Sequence, residues 1–149
     1  MGNSNGPRPD RWDFIVRSTP KPQPRPRLTK RGHAYNPKSA DFWKMHVGIA
    51  AKEALQDAPT PFSCPVILEC IFVMPRPKRM KKSLVNVYHI KRPDADNILK
   101  ATQDALQMAS CVTDDSVFCD IRVIKRYADP DEQSHAKISI ILAEEPFCE

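Results

Sequence analysis

The chain has 149 residues, of which 41% are hydrophobic and 28% charged, with a formal net charge of +5. That length and composition suit one domain with a sizeable core and exclude a disordered chain. The longest apolar runs, Pro65–Met74 and Ile138–Ala143, fall short of the ~20 residues that a membrane-spanning helix needs.

Residues Met1–Asp10 read as a loose tail rich in Gly, Asn, Ser and Pro, with no charged-then-apolar leader. A single domain is expected over 11–149. Asp13–Arg17 is apolar in the middle and reads as a strand. From Thr19 to Arg27, proline occupies every second position, which forbids helix and removes backbone donors. Such a stretch is extended, polyproline-like and pre-ordered. It reads as a basic arm presenting Lys21, Arg25 and Arg27, in preference to an SH3-type ligand. Leu28–Asn36 reads as a further strand or ribbon.

Pro37–Gln56 is predicted as a helix, capped by Asn36 or Ser39, with Phe42, Met45 or His46, Ile49 and Leu55 on its apolar face. Pro65–Met74 is a β-branched, buried strand, and Pro75–Ser83 a basic loop. Val85–Ile90 reads as a short extended piece. A second helix covers Asp96–Ala109, burying Ile98, Leu99, Thr102, Ala105, Leu106 and Ala109. Ser116–Tyr127 and His135–Leu142 are strands around a polar turn at Asp129–Ser134. The order β-β-α-β-α-β-β implies an α+β fold, a mixed sheet with two helices packed on one face. The five cysteines form no C-x-x-C or ligand-like spacing, so free thiols in a reducing cytoplasm are expected.

Charge is unevenly spread. Met1–Ala40 nets +7, Asp41–Pro75 −2, Arg76–Arg92 +7 and Pro93–Glu149 −7. Two basic blocks point to a polyanion partner, and the acidic block to a neutralising cation, against the plain alternative of solvated faces. The densest feature is R-P-D-A-D-N-I-L-K over Arg92–Lys100. One aspartate at a helix start caps it and suits its dipole. Asp94 and Asp96 together repel unless a cation relieves them. A second pair, Asp114 and Asp115, follows the same helix, where a turn would also favour aspartate. Oxygen ligands of this kind suit Mg²⁺. A calcium loop fails, because Leu99 stands where glycine is required and Ala105 where the closing glutamate belongs. The scattered histidines His33, His46, His89 and His135 exclude a zinc site. Lys100, one helical turn after Asp96, is either an ion-pair partner or a cation that stabilises charge developing on a phosphate. Asp104 is expected to face solvent. Asp115 begins near the far end of a helix about 20 Å long. Either the connection doubles back almost straight, or Asp115 meets Asp94 and Asp96 of a second subunit.

The chain resembles the RusA family of Holliday-junction endodeoxyribonucleases, common in phages and prophages. The likeness runs through the proline/arginine segment Pro20–Pro37, the D-x-D-N-x-x-K core at Asp94–Lys100, and Asp104–Leu106, Asp114–Val117 and Arg122–Lys125. It implies a homodimer that cuts two strands of a four-way junction with Mg²⁺ or Mn²⁺. It assigns metal binding to Asp94, Asp96 and Asp115 and the essential lysine to Lys100, with Asp114 a weaker candidate. Members often carry a glycine and an aromatic before the D-D pair, where this chain has Ser110-Cys-Val-Thr113. The basic insert Arg76–Lys82 is longer than in compact members.

The expected activity is therefore metal-dependent phosphodiester hydrolysis without a covalent intermediate. Expected phosphate contacts are Lys21, Arg25, Arg27, Lys30, Arg31, Arg76, Lys78, Arg79, Lys81 and Lys82. Tyr35 or Phe42 are candidates for stacking on an unpaired base, with core packing the expected role of Phe42. No membrane or nucleotide cofactor is expected. A flap or branched-DNA nuclease, a non-catalytic junction-binding protein and a proline-rich adaptor are the alternatives.

Overall fold

Alternation and β-branching place the strands. β1 (Arg11–Val16), β4 (Val66–Met74), β5 (Phe118–Tyr127) and β6 (His135–Leu142) form one sheet in the order β1-β6-β4-β5. β4 and β5 run parallel, whereas β6 is antiparallel to both β4 and β1. The computed structural model describes residues 10–35 and 37–143. The predicted ribbon after the proline arm is a small separate hairpin, β2 (Arg27–Leu28) against β3 (Ala34–Tyr35), closed by a turn with Gly32 at φ 82°.

Two helices, α1 (Asp41–Ala54) and α2 (Ala95–Met108), pack on one face of the sheet. That face carries Phe14, Val16, Leu68, Cys70, Phe72, Ile138 and Ile140, all buried. Helix α2 buries Ile98, Ala101, Thr102, Ala105 and Leu106, close to the predicted stripe. The α+β class and the mixed sheet with two helices stand as expected.

Helix α1 departs from the prediction in phase. Its buried residues are Trp43, Val47 and Ala51, while Phe42 is 74% exposed and Met45 and Ile49 lie outside as well. Two apolar stripes run along this helix one residue apart. The stripe with the tryptophan, the larger apolar surface, takes the core. Asn36 lies outside the described residues. Ser39 does not cap the helix, because Ala40 occupies the N-cap position without a side-chain bond. Asp104 does not simply face solvent either. It accepts from Lys44 Nζ at 2.7 Å and ties α2 to α1.

The far sheet face carries a polar row among its isoleucines. Asp13, Ser139, Glu69 and Arg122 follow one another across the four strands. The Ser139 hydroxyl donates to Asp13, and this bond, with help from Arg11, holds the Asp13 carboxyl below its ordinary range. The β5–β6 turn is closed by Arg126, which grips Glu132 with two bonds of 2.7 and 3.1 Å. The Asp129 N–H donates to the same carboxylate at 2.9 Å. Arg126 is the main cause that lowers the Glu132 carboxyl from 4.5 to about 2. A depressed carboxyl stabilises the fold above its unfolded pKa and loses that contribution as pH falls through the folded value. The Glu132→Gln protein should therefore be less stable than wild type at pH 7 by about 1 kcal/mol, a value discounted for solvent screening. Thermal melts should show the gap closing as pH falls from about 4.5 toward 2. A gap that persists at pH 2 would assign the effect to packing.

Cys64, Cys70, Cys111 and Cys119 are free thiols, and Cys148 lies outside the described residues. Burial pushes the Cys70 thiol up to about 12 and that of Cys111 to about 11, so neither is a thiolate at neutral pH.

Candidate active site

The parallel pair β4/β5 is joined through α2, so the helix runs antiparallel to both strands. Its N-terminus lies at the end where β4 and β5 finish. Arg76 and Asn86–His89 bond to residues 125–129 at that same end.

Asp94 sits at the N-cap position of α2 in extended conformation, φ −70° and ψ 145°, yet its side chain makes no capping bond. The helix start is closed by backbone instead, the N–H groups of Asn97 and Ile98 each donating to the Asp94 carbonyl at 3.2 Å. The capping role open to Asp94 in the sequence is therefore not taken up. Asp96 and Lys100 are exposed one turn apart, and they form no ion pair among the described residues. Two carboxylates and an ammonium thus stand uncommitted on one helix end. Free oxygen donors beside each other fit a hard divalent cation such as Mg²⁺.

The proline arm completes a groove here. Because Pro20, Pro22, Pro24 and Pro26 lack N–H groups, few backbone donors remain, and that of Gln23 goes to the Asn97 carbonyl at 2.9 Å. The arm is thereby docked on the first turn of α2. Pro22–Arg25, Arg27, Pro37, Ser39, Arg92, Pro93, Asp94 and Asn97 line an open groove of about 720 Å³. Arg25, Arg27 and Arg92 accordingly share a wall with Asp94. Lys21, Lys30, Arg31 and Tyr35 are exposed on the same arm and its hairpin. On the basic loop, Lys78, Arg79, Lys81 and Lys82 are exposed. Arg76 differs: it is half-buried, and its guanidinium donates to the carbonyls of Ala128 and Lys81 at 3.2 and 2.5 Å. It braces the loop.

One residue that supports the site escaped the sequence reading. Lys125, near the end of β5, donates from Nζ to the carbonyls of Lys91 and Pro93, both at 2.6 Å. It anchors the segment that delivers Asp94. The Arg122–Lys125 stretch belonged to the resemblance, but a lysine pointing at backbone leaves no local signal. Burial, and then the charge of Lys125, hold the His89 imidazole beside it below its usual range. Replacing Lys125 with methionine should lower kcat about 10-fold, because displaced reacting groups lose orientation, while KM changes less than about 2-fold. Lys125→Arg should retain most of the activity. A rise in KM with unchanged kcat would instead make Lys125 a DNA contact.

The second aspartate pair splits. Asp114 caps the 3-10 turn Asp115–Val117, its carboxylate accepting from the Ser116 N–H at 3.0 Å. Hydrogen bonding to the Ser116 side chain first, and then this backbone bond, hold the Asp114 carboxyl below its ordinary range. Asp115 is exposed and makes no ion pair among the described residues. Neither lies near Asp94. After α2, Ser110 takes φ 60°, the left-handed conformation glycine favours. The chain then docks on the α1–β4 connection, through Phe62 N–H to Cys111 O and Thr113 N–H to Phe62 O at 2.9 and 3.0 Å. The connection therefore stays at the C-terminal end of α2, and the straight doubling back does not occur. Among the described residues, no three His, Cys, Asp or Glu side chains gather to hold a metal.

Fold and groove together describe a small α+β protein that sets one uncommitted carboxylate, Asp94, in a basic cleft, with a second, Asp96, exposed on the same helix end. The chain matches the family described as Endodeoxyribonuclease RusA over residues 18–140. It belongs to that family, whose members are endonucleases that resolve Holliday junctions. No curated protein matched the chain. Among the described residues, no helix is long and apolar enough to cross a membrane.

Proposed function

We propose that the protein is a metal-dependent endonuclease that resolves four-way DNA junctions by paired, symmetric phosphodiester hydrolysis. It would act as a homodimer in the cytoplasm of a bacterial host, from a phage or prophage gene. The observation that carries this reading is the free pair Asp94 and Asp96 at the helix end where the basic arm docks. Asp94, Asp96 and Asp115 hold the cation, Mg²⁺ or Mn²⁺. When bound, it supplies Lewis-acid polarisation of the scissile phosphate and acidifies a water. Lys100 stabilises the negative charge that develops on the phosphate. Arg25, Arg27 and Arg92 hold the strand across the groove, and Lys78, Arg79, Lys81 and Lys82 grip the neighbouring backbone.

The third carboxylate requires a second copy. Within one chain, a 14-residue helix of about 20 Å separates Asp94 from Asp115. β5 is an edge strand of the sheet. Only its end is covered, where Val87–His89 bonds to Lys125 and Tyr127. Two such edges paired about a two-fold axis run antiparallel. A ladder centred on Ile121 and confined to the open Phe118–Ile124 stretch directs Asp115 of the partner subunit, just beyond that stretch, toward the Asp94 end. Two composite sites then face a two-fold substrate.

The test is a synthetic four-way junction labelled on each strand in turn, incubated with Mg²⁺ or with EDTA. Paired symmetric nicks that need Mg²⁺ support the reading. Unpaired, asymmetric incisions would make the protein a flap or branched-DNA nuclease with the same site. Tight binding with no nicks under any metal would leave a junction-binding protein.

A further inference from the structure

Between the basic loop and Asp94 lies a segment that neither the metal site nor the phosphate contacts use. Val87–His89 adds to the outer edge of β5: the His89 N–H donates to the Lys125 carbonyl at 3.0 Å and the Tyr127 N–H to that of Val87 at 2.9 Å. Tyr88 pairs with Arg126 in an antiparallel bridge. His89 packs its ring against Tyr127, with centroids 4.6 Å apart. The Asn86 N–H donates to Asp129 at 2.9 Å. The segment is thus held along its length by backbone bonds and by one ring contact.

Strand alternation sends Val87 and His89 inward and Tyr88 and Ile90 outward. Tyr88 is 70% exposed and Ile90 88%. A rigid support that presents an aromatic and a β-branched side chain to water costs hydration free energy, and none of the described residues covers them. Their surroundings select the occupant. Arg76–Arg92 holds seven Lys/Arg and no acidic residue. An apolar protein partner would leave these cations unmatched, and an acidic one would match them without covering an aromatic and a β-branched side chain, whereas DNA neutralises them and offers base faces to the apolar pair. Apolar wedges of this type unstack base steps, and aromatic rings stack on single bases.

We propose that Tyr88 and Ile90 form a wedge that inserts at the branch point of the junction, stacking on a base and holding neighbouring pairs open. This rests on the junction-endonuclease reading. Its place, six and four residues before Asp94, couples branch opening to delivery of the scissile strand.

The test uses the full chain carrying Asp96→Asn, without added divalent metal, on a four-way junction with thymines flanking the branch. Permanganate oxidises unstacked thymines. Binding should raise their reactivity about 5-fold over the free junction, as unstacking by a wedge requires. Tyr88→Ala with Ile90→Ala should return it to the free level and weaken junction binding about 10-fold, the effect of losing one stacked base, with linear-duplex binding unchanged. Tyr88→Phe should behave as the parent. Unchanged reactivity with the double variant, or equal loss on junction and duplex, overturns the wedge while leaving the nuclease reading intact. So does a dimer-to-monomer change in sedimentation, which would mark the surface as a contact between copies. A parent that shows no preference for junction over duplex overturns the junction reading and the wedge together.

Discussion

Replacing Asp96 with asparagine should abolish nicking and leave junction binding intact. The substitution keeps the shape of the side chain and removes one charge. Because Asp96 forms no ion pair with Lys100 or any other described residue, no structural contact is lost with that charge. What is lost is an oxygen donor to the cation, at a cost of at least about 10³-fold in the cleavage rate. Binding should tighten slightly, since one fewer carboxylate at the exposed helix end opposes the phosphates. Asp114→Asn is the matched control. Its carboxylate is engaged with the Ser116 N–H, so the change should weaken the turn and leave cleavage within a few fold. Equal loss of cleavage from Asp96→Asn and Asp114→Asn would mean that capping does not distinguish the two roles. Cleavage by Asp96→Asn at the wild-type rate would remove the metal-site assignment altogether.

The parts of the molecule legible in the sequence are those set by local pattern. β4, α2, β5 and β6 lie within a residue or two of expectation, because each is a single apolar run or stripe bounded by prolines, aspartates or turns. α1 has two candidate stripes, and only the sheet beneath it decides that Trp43, Val47 and Ala51 face inward. The Lys44–Asp104 and Lys125–Pro93 contacts join residues far apart in the chain, and each lysine viewed alone reads as solvated surface. The same division holds at the site. Asp94, Asp96 and Lys100 are neighbours on one helix end, so spacing alone groups them. Asp115 is grouped with them only through the resemblance, and helix length already argued that it could not reach them easily within one chain. The resemblance alone ranks Asp115 above Asp114, and the capping bond of Asp114 is a contact that a D-D pair does not disclose.

Subunits carrying Asp96→Asn and subunits carrying Asp115→Asn, each inactive alone, should nick junctions when co-expressed. In a composite site, one half of each mixed dimer joins both defects, and the other half is wild type. Random assortment makes half of the dimers mixed, so about a quarter of all sites are intact and nicking should recover to about that level. Each active dimer has one working site, so the products should be single nicks, with paired resolution still absent. A site built within one chain predicts the opposite, because every site in every dimer then carries one defect and no nicking returns. The β5 edge supplies an independent arm. Ile121 is partly exposed at the centre of the open stretch, and Ile121→Lys sets two like charges opposite each other in the two-fold ladder. That variant should be monomeric by sedimentation and fail to cleave, although its own Asp94, Asp96, Lys100 and Asp115 are intact. A monomeric Ile121→Lys protein that still nicks would place all the ligands in one chain. A fully dimeric one would move the interface elsewhere, with the exposed Phe42, Met45 and Ile49 stripe of α1 as the next surface to test.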